Sequence, residues 1–199
     1  HLDSWDVGVG AIDDGAGIAI VTEAARLIMA ADARPDRSIR VIFFAAEEIG
    51  LWGGKAWAKA REEEIGNYQL VAESDFGAGE IYAISARVQE AAWPMVEAIQ
   101  AELAPLGIEM GRRQASGGPD FSPALALGVA AVDLHQDGSD YFDLHHNPND
   151  TLDKIDPEAL AQNAAAYAVL AWLGAQAPMP FGSGETILAE EAQAQSERD

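Results

Sequence analysis

Ser38–Ala46, SIRVIFFAA, followed at once by Glu47-Glu48-Ile49-Gly50, is the stretch that decides the fold class. A run so nearly continuous in apolar and β-branched residues is a strand covered on both faces, as in a parallel sheet packed between helices. Tyr68 to Ala72 and Val129 to Leu134 have the same character, and Glu80 to Ser85 (EIYAIS) reads as a further short strand at an edge. Between them lie helical patterns at Gly15 to Ala31, Trp52 to Glu64, Val88 to Leu106 and Pro157 to Leu173. The last of these has Asp156 as N-cap and a proline at its first helical position. Strand and helix alternate, so the expected class is α/β, a mainly parallel mixed sheet flanked by helices on both faces. Residues 1–175 are expected to form one domain. Residues 176–199, first rich in Pro and Gly and then acidic, are expected to form a peripheral helix or a frayed tail.

Composition narrows the function. With 199 residues and 49% apolar content, the chain has enough to bury one core. Twelve Lys and Arg against 33 Asp and Glu give a formal charge of -21. That balance argues against nucleic acid and anionic membranes as partners, because both require basic patches. There is no cysteine, so disulfides, thiolate metal sites and cysteine nucleophiles are excluded. No apolar run approaches the roughly 20 residues of a membrane-spanning helix, so no membrane insertion is expected, and no signal peptide is visible. The chain begins on His1 where a full open reading frame begins on Met, so it reads as cut or processed.

Open α/β sheets place functional groups just beyond the carboxyl ends of their strands. Glu47 and Glu48 follow one strand, Asp75 follows another, and Gly50, Gly53 and Gly54 let the backbone turn tightly beside the first pair. A Glu-Glu pair alone is an ordinary solvated helix start. Two adjacent carboxylates at a strand mouth repel each other, however, unless a cation or a proton separates their roles. His1-x-Asp3 has the form of a metal-binding imidazole with a nearby carboxylate to orient its ring. Asp13-Asp14-Gly15 precedes a helical run, with Asp14 the natural N-cap and Asp13 left to face a site. His145 and His146, two of the four histidines, sit in HHNPNDT, where Asn-Pro marks a rigid loop. Imidazole and carboxylate ligands without thiolate suit zinc, with Co2+ or Mn2+ as substitutes.

Taken in order, HLDSWDVGVGAIDDGAG, FFAAEEIGLWGG, ESDFG and HHNPNDTLDKID resemble the successive metal-site motifs of the co-catalytic di-zinc aminopeptidases, and most closely their carboxypeptidase Q branch. The likeness runs from residue 1 to about residue 160. It implies a zinc-peptidase α/β/α sandwich whose N-terminal strands, including the one delivering His1, are missing here. It implies two Zn2+ bridged by Asp13, with His1 and Asp75 completing one site and Glu48 and His146 the other. The family pattern selects His146 over His145. Glu47 is then the general base acting on a water between the metals, Asp3 supports His1, and Asp150 lies behind His146.

Tyr141 is a candidate oxyanion or substrate contact, Arg112 and Arg113 are candidate partners for a substrate carboxylate, and His135 is structural. Trp5, Trp52 and Trp57 either line the pocket or pack. Asp120, in GGPDFS, has no role in this reading. The activity implied is hydrolysis of the terminal peptide bond of small peptides or dipeptides, in a periplasmic or secreted setting. Alternatives are a metal-free binding or structural relative and a single-zinc glutaminyl cyclase-like acyltransferase. Homo-oligomer formation, and completion by the N-terminal part of the same protein, stay open.

Overall fold

In the computed structural model, which describes residues 1–182 and 184–198, the chain is α/β as expected. Its elements in order are α1 (Ala16–Met29), α2 (Trp52–Arg61), β1 (Ile81–Arg87), α3 (Trp93–Leu103), β2 (Glu109–Met110), α4 (Ser122–Leu125), β3 (Ala131–Gln136), α5 (Tyr141–Leu144), α6 (Pro157–Gln176) and α7 (Gly184–Ser196). The sheet order is β2-β1-β3, with β1 parallel to β2 and antiparallel to β3. The stretch expected at an edge, residues 80–85, is therefore the middle strand of the three.

Side-chain alternation on β3 divides the interior. Val132 and Leu134 join Ile81, Ile84 and Ala86 of β1 in the main core, closed by Ile20 of α1, Val96 and Ile99 of α3, and Leu170 of α6. Ala131, on the other face of β3, joins a second cluster with Ala58 of α2, Ala124 of α4, Phe44, Val71 and Phe121. Helices thus cover both faces. The segment after α6 enters the main core through Phe181 and then forms the helix α7, seated there through Ile187; the two are 0% and 2% exposed. No helix among the described residues is long and apolar enough to cross a membrane.

Two expected strands carry no ladder. Residues 38–46 are irregular, and residues 68–72 contribute only an isolated parallel bridge from Val71 to Ala131, with Val71 N donating to Ala130 O and Val132 N to Val71 O, each 2.9 Å. The reason is spatial, because a strand needs a neighbouring backbone. Between the two segments lies a cavity of about 570 Å³, lined by Ile18, Val21, Ile39, Val41, Leu70 and Ala72 among others. The tie from residues 38–46 toward the site is Leu2 N donating to Phe44 O at 2.8 Å.

Helix α6 opens as the sequence predicts, with the Asp156 side chain accepting from Glu158 N at 2.8 Å and Pro157 at the first position. Its Asn163 is fully buried and polar, and it holds the sheet end in place. Asn163 Nδ2 donates to Gly79 O and Ala159 O, each 2.8 Å, and its Oδ1 accepts from Gln136 Nε2 at 2.8 Å. Gln136 in turn donates to Gly77 O at 2.7 Å, two residues after Asp75. Removing Asn163 orphans several buried groups together, each costing about 1–3 kcal/mol. We expect Asn163→Ala to lower the unfolding free energy by about 2 kcal/mol in urea denaturation; a change below about 0.5 kcal/mol would show the network to be idle.

Candidate metal centre

The four motifs converge. Leu2 N fixes residues 1–3 beside Phe44, and this brings His1 to the loop that carries Glu47 and Glu48. His1 Nε2 lies 3.2 Å from Asp13 Oδ1, 3.4 Å from Asp75 Oδ1 and 3.7 Å from Glu47 Oε2. On the far side of Asp13, Oδ2 lies 3.4 Å from His146 Nε2 and 3.5 Å from His145 Nε2, while Glu48 Oε2 is 2.7 Å from His146 Nε2. The two oxygens of Asp13 thus face different sets of donors. His1, Asp13 and Asp75 form one group whose ligand atoms all lie within 4.8 Å of one another, and Asp13, His145 and His146 form a second.

Backbone strain is concentrated here. The non-glycine residues with positive φ among those described are Ala46 (60°), Leu51 (57°) and His146 (56°). The first two bracket the Glu47–Gly50 turn, and the third carries a histidine of the cluster. Left-handed backbone at residues with side chains costs on the order of 1 kcal/mol or more each and gathers where function requires a particular orientation. The turn is closed by Gly50 N and Leu51 N, which donate to Glu47 O at 2.9 and 2.8 Å. Gly53 fits against it because a Cβ there would meet Ala45 O at 2.7 Å.

Carboxylates also hold the acidic loops from behind. Asp3 accepts Glu47 N on Oδ1 at 3.1 Å and Glu48 N on Oδ2 at 3.2 Å. The His1 ring is oriented by the Asp3 carbonyl, 2.8 Å from Nδ1, whereas the nearer Asp3 carboxylate oxygen is 3.7 Å away. The expected support of His1 by Asp3 therefore passes through the main chain, since the carboxylate is committed to the amides of Glu47 and Glu48. Asp150 accepts Ile12 N at 2.6 Å and Asp13 N at 3.2 Å, buttressing the Asp13 turn. The main-chain nitrogen of His1 donates to Asp14 Oδ2 at 2.7 Å, and Asp14 Oδ1 accepts from Gly17 N at 3.1 Å; the N-cap position of α1 is Gly15, one residue later than the sequence suggests.

Electrostatics follow from burial without basic side chains. Burial lowers the His1 pKa, but acceptance by Asp13 and Asp75 outweighs it and pushes the ring up to about 12. Asp14 is pushed up to about 9 by burial and then by Asp75, and Glu47 to about 7 by burial, with His1 opposing and Asp75 and Asp120 reinforcing. Glu48 and Asp75 are also raised, first by burial. Glu48 Oε1 is buried with no hydrogen-bond partner. An orphaned carboxylate oxygen beside imidazoles and further carboxylates fits a divalent cation.

The remaining candidates sort by contact. Tyr141 is buried, stacks on Phe76 at 4.6 Å between centroids, and has its phenol held protonated by burial and the Asp13 charge. Trp5 stacks on His146 at 4.6 Å, while Trp57 packs among Phe44, Tyr68 and Phe121, and Trp52 is exposed under the Lys55 ammonium. Arg113 is engaged by Glu90 at 2.7 Å and by the Trp93 ring, and the Arg112 main chain is fixed on Ser85 Oγ. His135 bonds Ser85 Oγ at 2.8 Å, a structural role as expected. His145 was passed over in the sequence, yet it stacks on His146 with centroids 3.6 Å apart. The doubled histidine was the available signal.

Comparison with known proteins identifies the family. Residues 1–171 match peptidase family M28. Human carboxypeptidase Q is 36% identical over 173 residues, covering 87% of this chain and 36% of the relative. Leupeptin-inactivating enzyme 1 of Streptomyces exfoliatus is 27% identical, covering 92% of this chain and 46% of that protein. The chain thus spans about a third to a half of the length of these relatives. Among solved structures, a peptidase M28 precursor from Shewanella amazonensis SB2B is 56% identical with a TM-score of 0.88, covering 92% of this chain and 41% of the other. LapA aminopeptidase of Legionella pneumophila, at 20% identity and a TM-score of 0.66 over 90% of this chain and 50% of its own, shares the fold. With a family match that runs through all four acidic and histidine loops, the chain belongs to peptidase family M28.

Proposed function

We propose that this chain carries the metal centre of a zinc-dependent exopeptidase acting on small peptides or dipeptides. The observation that carries the reading is the two-sided placement of Asp13, Oδ1 toward His1 and Asp75 and Oδ2 toward His146, which itself contacts Glu48. In this reading His1, Asp13 and Asp75 hold one divalent cation, and Asp13, Glu48 and His146 hold the other. Bound cations of this kind polarise a peptide carbonyl and acidify water toward neutrality.

The residues of the chain supply the rest. Glu47 has its amide pinned by Asp3 and its carboxylate inside the cluster, 3.7 Å from His1 Nε2, where a general base could reach a water held at the metal centre. It takes the proton of the attacking water and passes it to the leaving amine. Tyr141, kept as a neutral phenol, can donate to oxygen charge developing beside Asp13 and Asp75. The names of the relatives include a carboxypeptidase and an aminopeptidase, which supports terminal cleavage and leaves both directions to be assayed.

Glu47→Gln should keep its metal by elemental analysis while turnover on aminoacyl anilides or dipeptides falls by about 10² to 10⁴; near-full activity sinks the base assignment. Asp13→Ala should instead release metal, because among the described residues Asp13 is the one shared by both candidate groups. Removing divalent cations with a chelator should lower Tm, and re-adding zinc at about 100 times its Kd should restore about 2.7 kcal/mol of stability. A Tm indifferent to chelator and zinc would count against the metal centre itself.

A further inference from the structure

His1 and His146 are held in different ways. The His1 ring is oriented at Nδ1 by the Asp3 carbonyl, 2.8 Å away; a hydrogen bond on the nitrogen that faces away from the cation is the common way to aim a ligating histidine. Among the described residues, the polar partners of the His146 ring are Glu48 Oε2 at 2.7 Å and Asp13 Oδ2 at 3.4 Å, both on Nε2, and Nδ1 has none. The His146 backbone is left-handed, with φ 56°, a conformation that a residue with a side chain holds only at a cost. Something other than a hydrogen bond fixes this ring.

Other rings do so. Trp5 lies against His146 with centroids 4.6 Å apart and planes at 14°, and His145 lies against it at 3.6 Å and 20°. The stack continues from His145 to Tyr141 at 5.0 Å and from Tyr141 to Phe76 at 4.6 Å. Five rings thus run in one column, from the loop that follows His1 to the residue that follows Asp75. The backbone seats both ends. Trp5 O accepts from Gly8 N at 3.3 Å, Val9 N donates to Asp150 O at 3.2 Å, and a Cβ on Gly8 would meet Asn147 O at 2.8 Å, so the Trp5 loop is pressed onto the histidine loop. At the far end, a Cβ on Gly77 would meet Tyr141 Cδ2 at 3.1 Å. Tyr141 and His145 stand four residues apart at α5, where His145 N donates to Tyr141 O at 2.7 Å, and their rings share one face.

We propose that Trp5 and His145 are positioning residues for His146, acting on this candidate metal ligand through the faces of its ring and not on substrate. Near-parallel rings in contact resist the rotation that would swing Nε2 away from Asp13 and Glu48. A ligand already aimed loses less freedom on binding, so the stack raises the affinity of the corner formed by Asp13, Glu48 and His146. Trp5 is 42% exposed and the His145 side chain 30%, so the packing of the core demands neither. His145 Nε2 also lies 3.5 Å from Asp13 Oδ2, and its ring is therefore tested apart from its nitrogen. The inference rests on the reading of Asp13, Glu48 and His146 as a metal site, which zinc titration of the unmodified protein tests separately.

Titrating zinc into the metal-free protein against a chromophoric chelator reads each site as a dissociation constant, and His146→Ala marks which constant belongs to its corner. Trp5→Ala should weaken that constant by about 10- to 100-fold, the range for losing a group that orients a ligating histidine, and leave the other within about threefold. Trp5→Phe, which keeps a ring, should recover most of the loss. His145→Ala should weaken the same constant, whereas His145→Phe, a ring without nitrogens, should hold it within about threefold of the unmodified protein. Metal-free Trp5→Ala should unfold within about 2 °C of the metal-free parent, as an exposed substitution does.

If the unmodified protein has no zinc constant that His146→Ala abolishes, the metal-site reading of His146 falls and this inference falls with it. With that constant present, unchanged binding in Trp5→Ala, equal weakening of both sites, or a Trp5→Phe no better than Trp5→Ala would each overturn positioning by Trp5 and leave the metal site standing. A loss in His145→Phe as deep as in His145→Ala would mean that His145 acts through its nitrogen, which overturns its part in the stack. Should Trp5→Ala fail to fold, Trp5→Leu, which covers the ring without stacking on it, takes its place. Failure of both to fold would make Trp5 a folding residue and overturn the proposal.

Discussion

Like-charge repulsion at the mouth of the sheet is the constraint on which the rest depends. Asp13, Asp14, Glu47, Glu48 and Asp75 are brought together from separate loops, and the side-chain ion pairs that they make among the described residues are to histidines, with no Lys or Arg. Two unit charges about 4 Å apart repel by about 4 kcal/mol at the effective dielectric of a protein surface. The cluster is tolerable only if protons or cations sit within it. The upward displacement of Asp14, Glu47, Glu48 and Asp75 is that repulsion and burial expressed as proton affinity. A divalent cation inverts the balance, making ionised carboxylates the favoured form.

The carboxylates that face the cluster have their oxygens turned toward it, and the fold orients them by their backbones. Asp3 grips the amides of Glu47 and Glu48, and Asp150 grips those of Ile12 and Asp13. Asn163 reaches the Asp75 loop through Gln136 and Gly77 O. The left-handed residues Ala46, Leu51 and His146 belong to the same economy of orientation. Their strain is sustained because turns closed by main-chain hydrogen bonds and buried carboxylate caps over-determine the loops.

This explains which parts of the molecule were legible in the sequence. Chemical identity and order within motifs mark His1, Asp13, Glu47, Glu48, Asp75 and His146, and the structure brings all of them together. The direction in which a supporting side chain points depends on distant backbone. Asp3 reads as a partner of the His1 ring and Asp150 as lying behind His146, but the amides that their carboxylates bind show only in the structure. The helices are the other legible layer, because α1, α2 and α6 carry their own hydrogen bonds and their own period. Ser38–Ala46 and Tyr68–Ala72 have strand composition without a strand ladder, since pairing is a property of a neighbour and not of the segment. Glu80–Ser85 lies in the centre of its sheet for the same reason: residues 109–110 and 131–136 supply the partners, and nothing local in EIYAIS announces them.

The geometry around Asp13 also separates a shared carboxylate from an ordinary single ligand. A lone cation needs one face of one carboxylate and leaves the other oxygen free to be satisfied by the protein. Here Asp150 takes the amide behind Asp13, and neither Asp13 oxygen accepts from a main-chain N–H; each is turned instead toward imidazole and carboxylate groups on its own side. Glu47 and Glu48, adjacent in sequence, diverge accordingly: Glu48 reaches His146, and Glu47 lies 3.7 Å from His1 Nε2. One short turn with left-handed residues at both ends thereby sends one carboxylate toward each corner. Side-chain length fixes that reach. Shortening Glu47 to Asp would retract the acceptor by about one methylene, a misplacement of the size that costs a positioned group most of its effect.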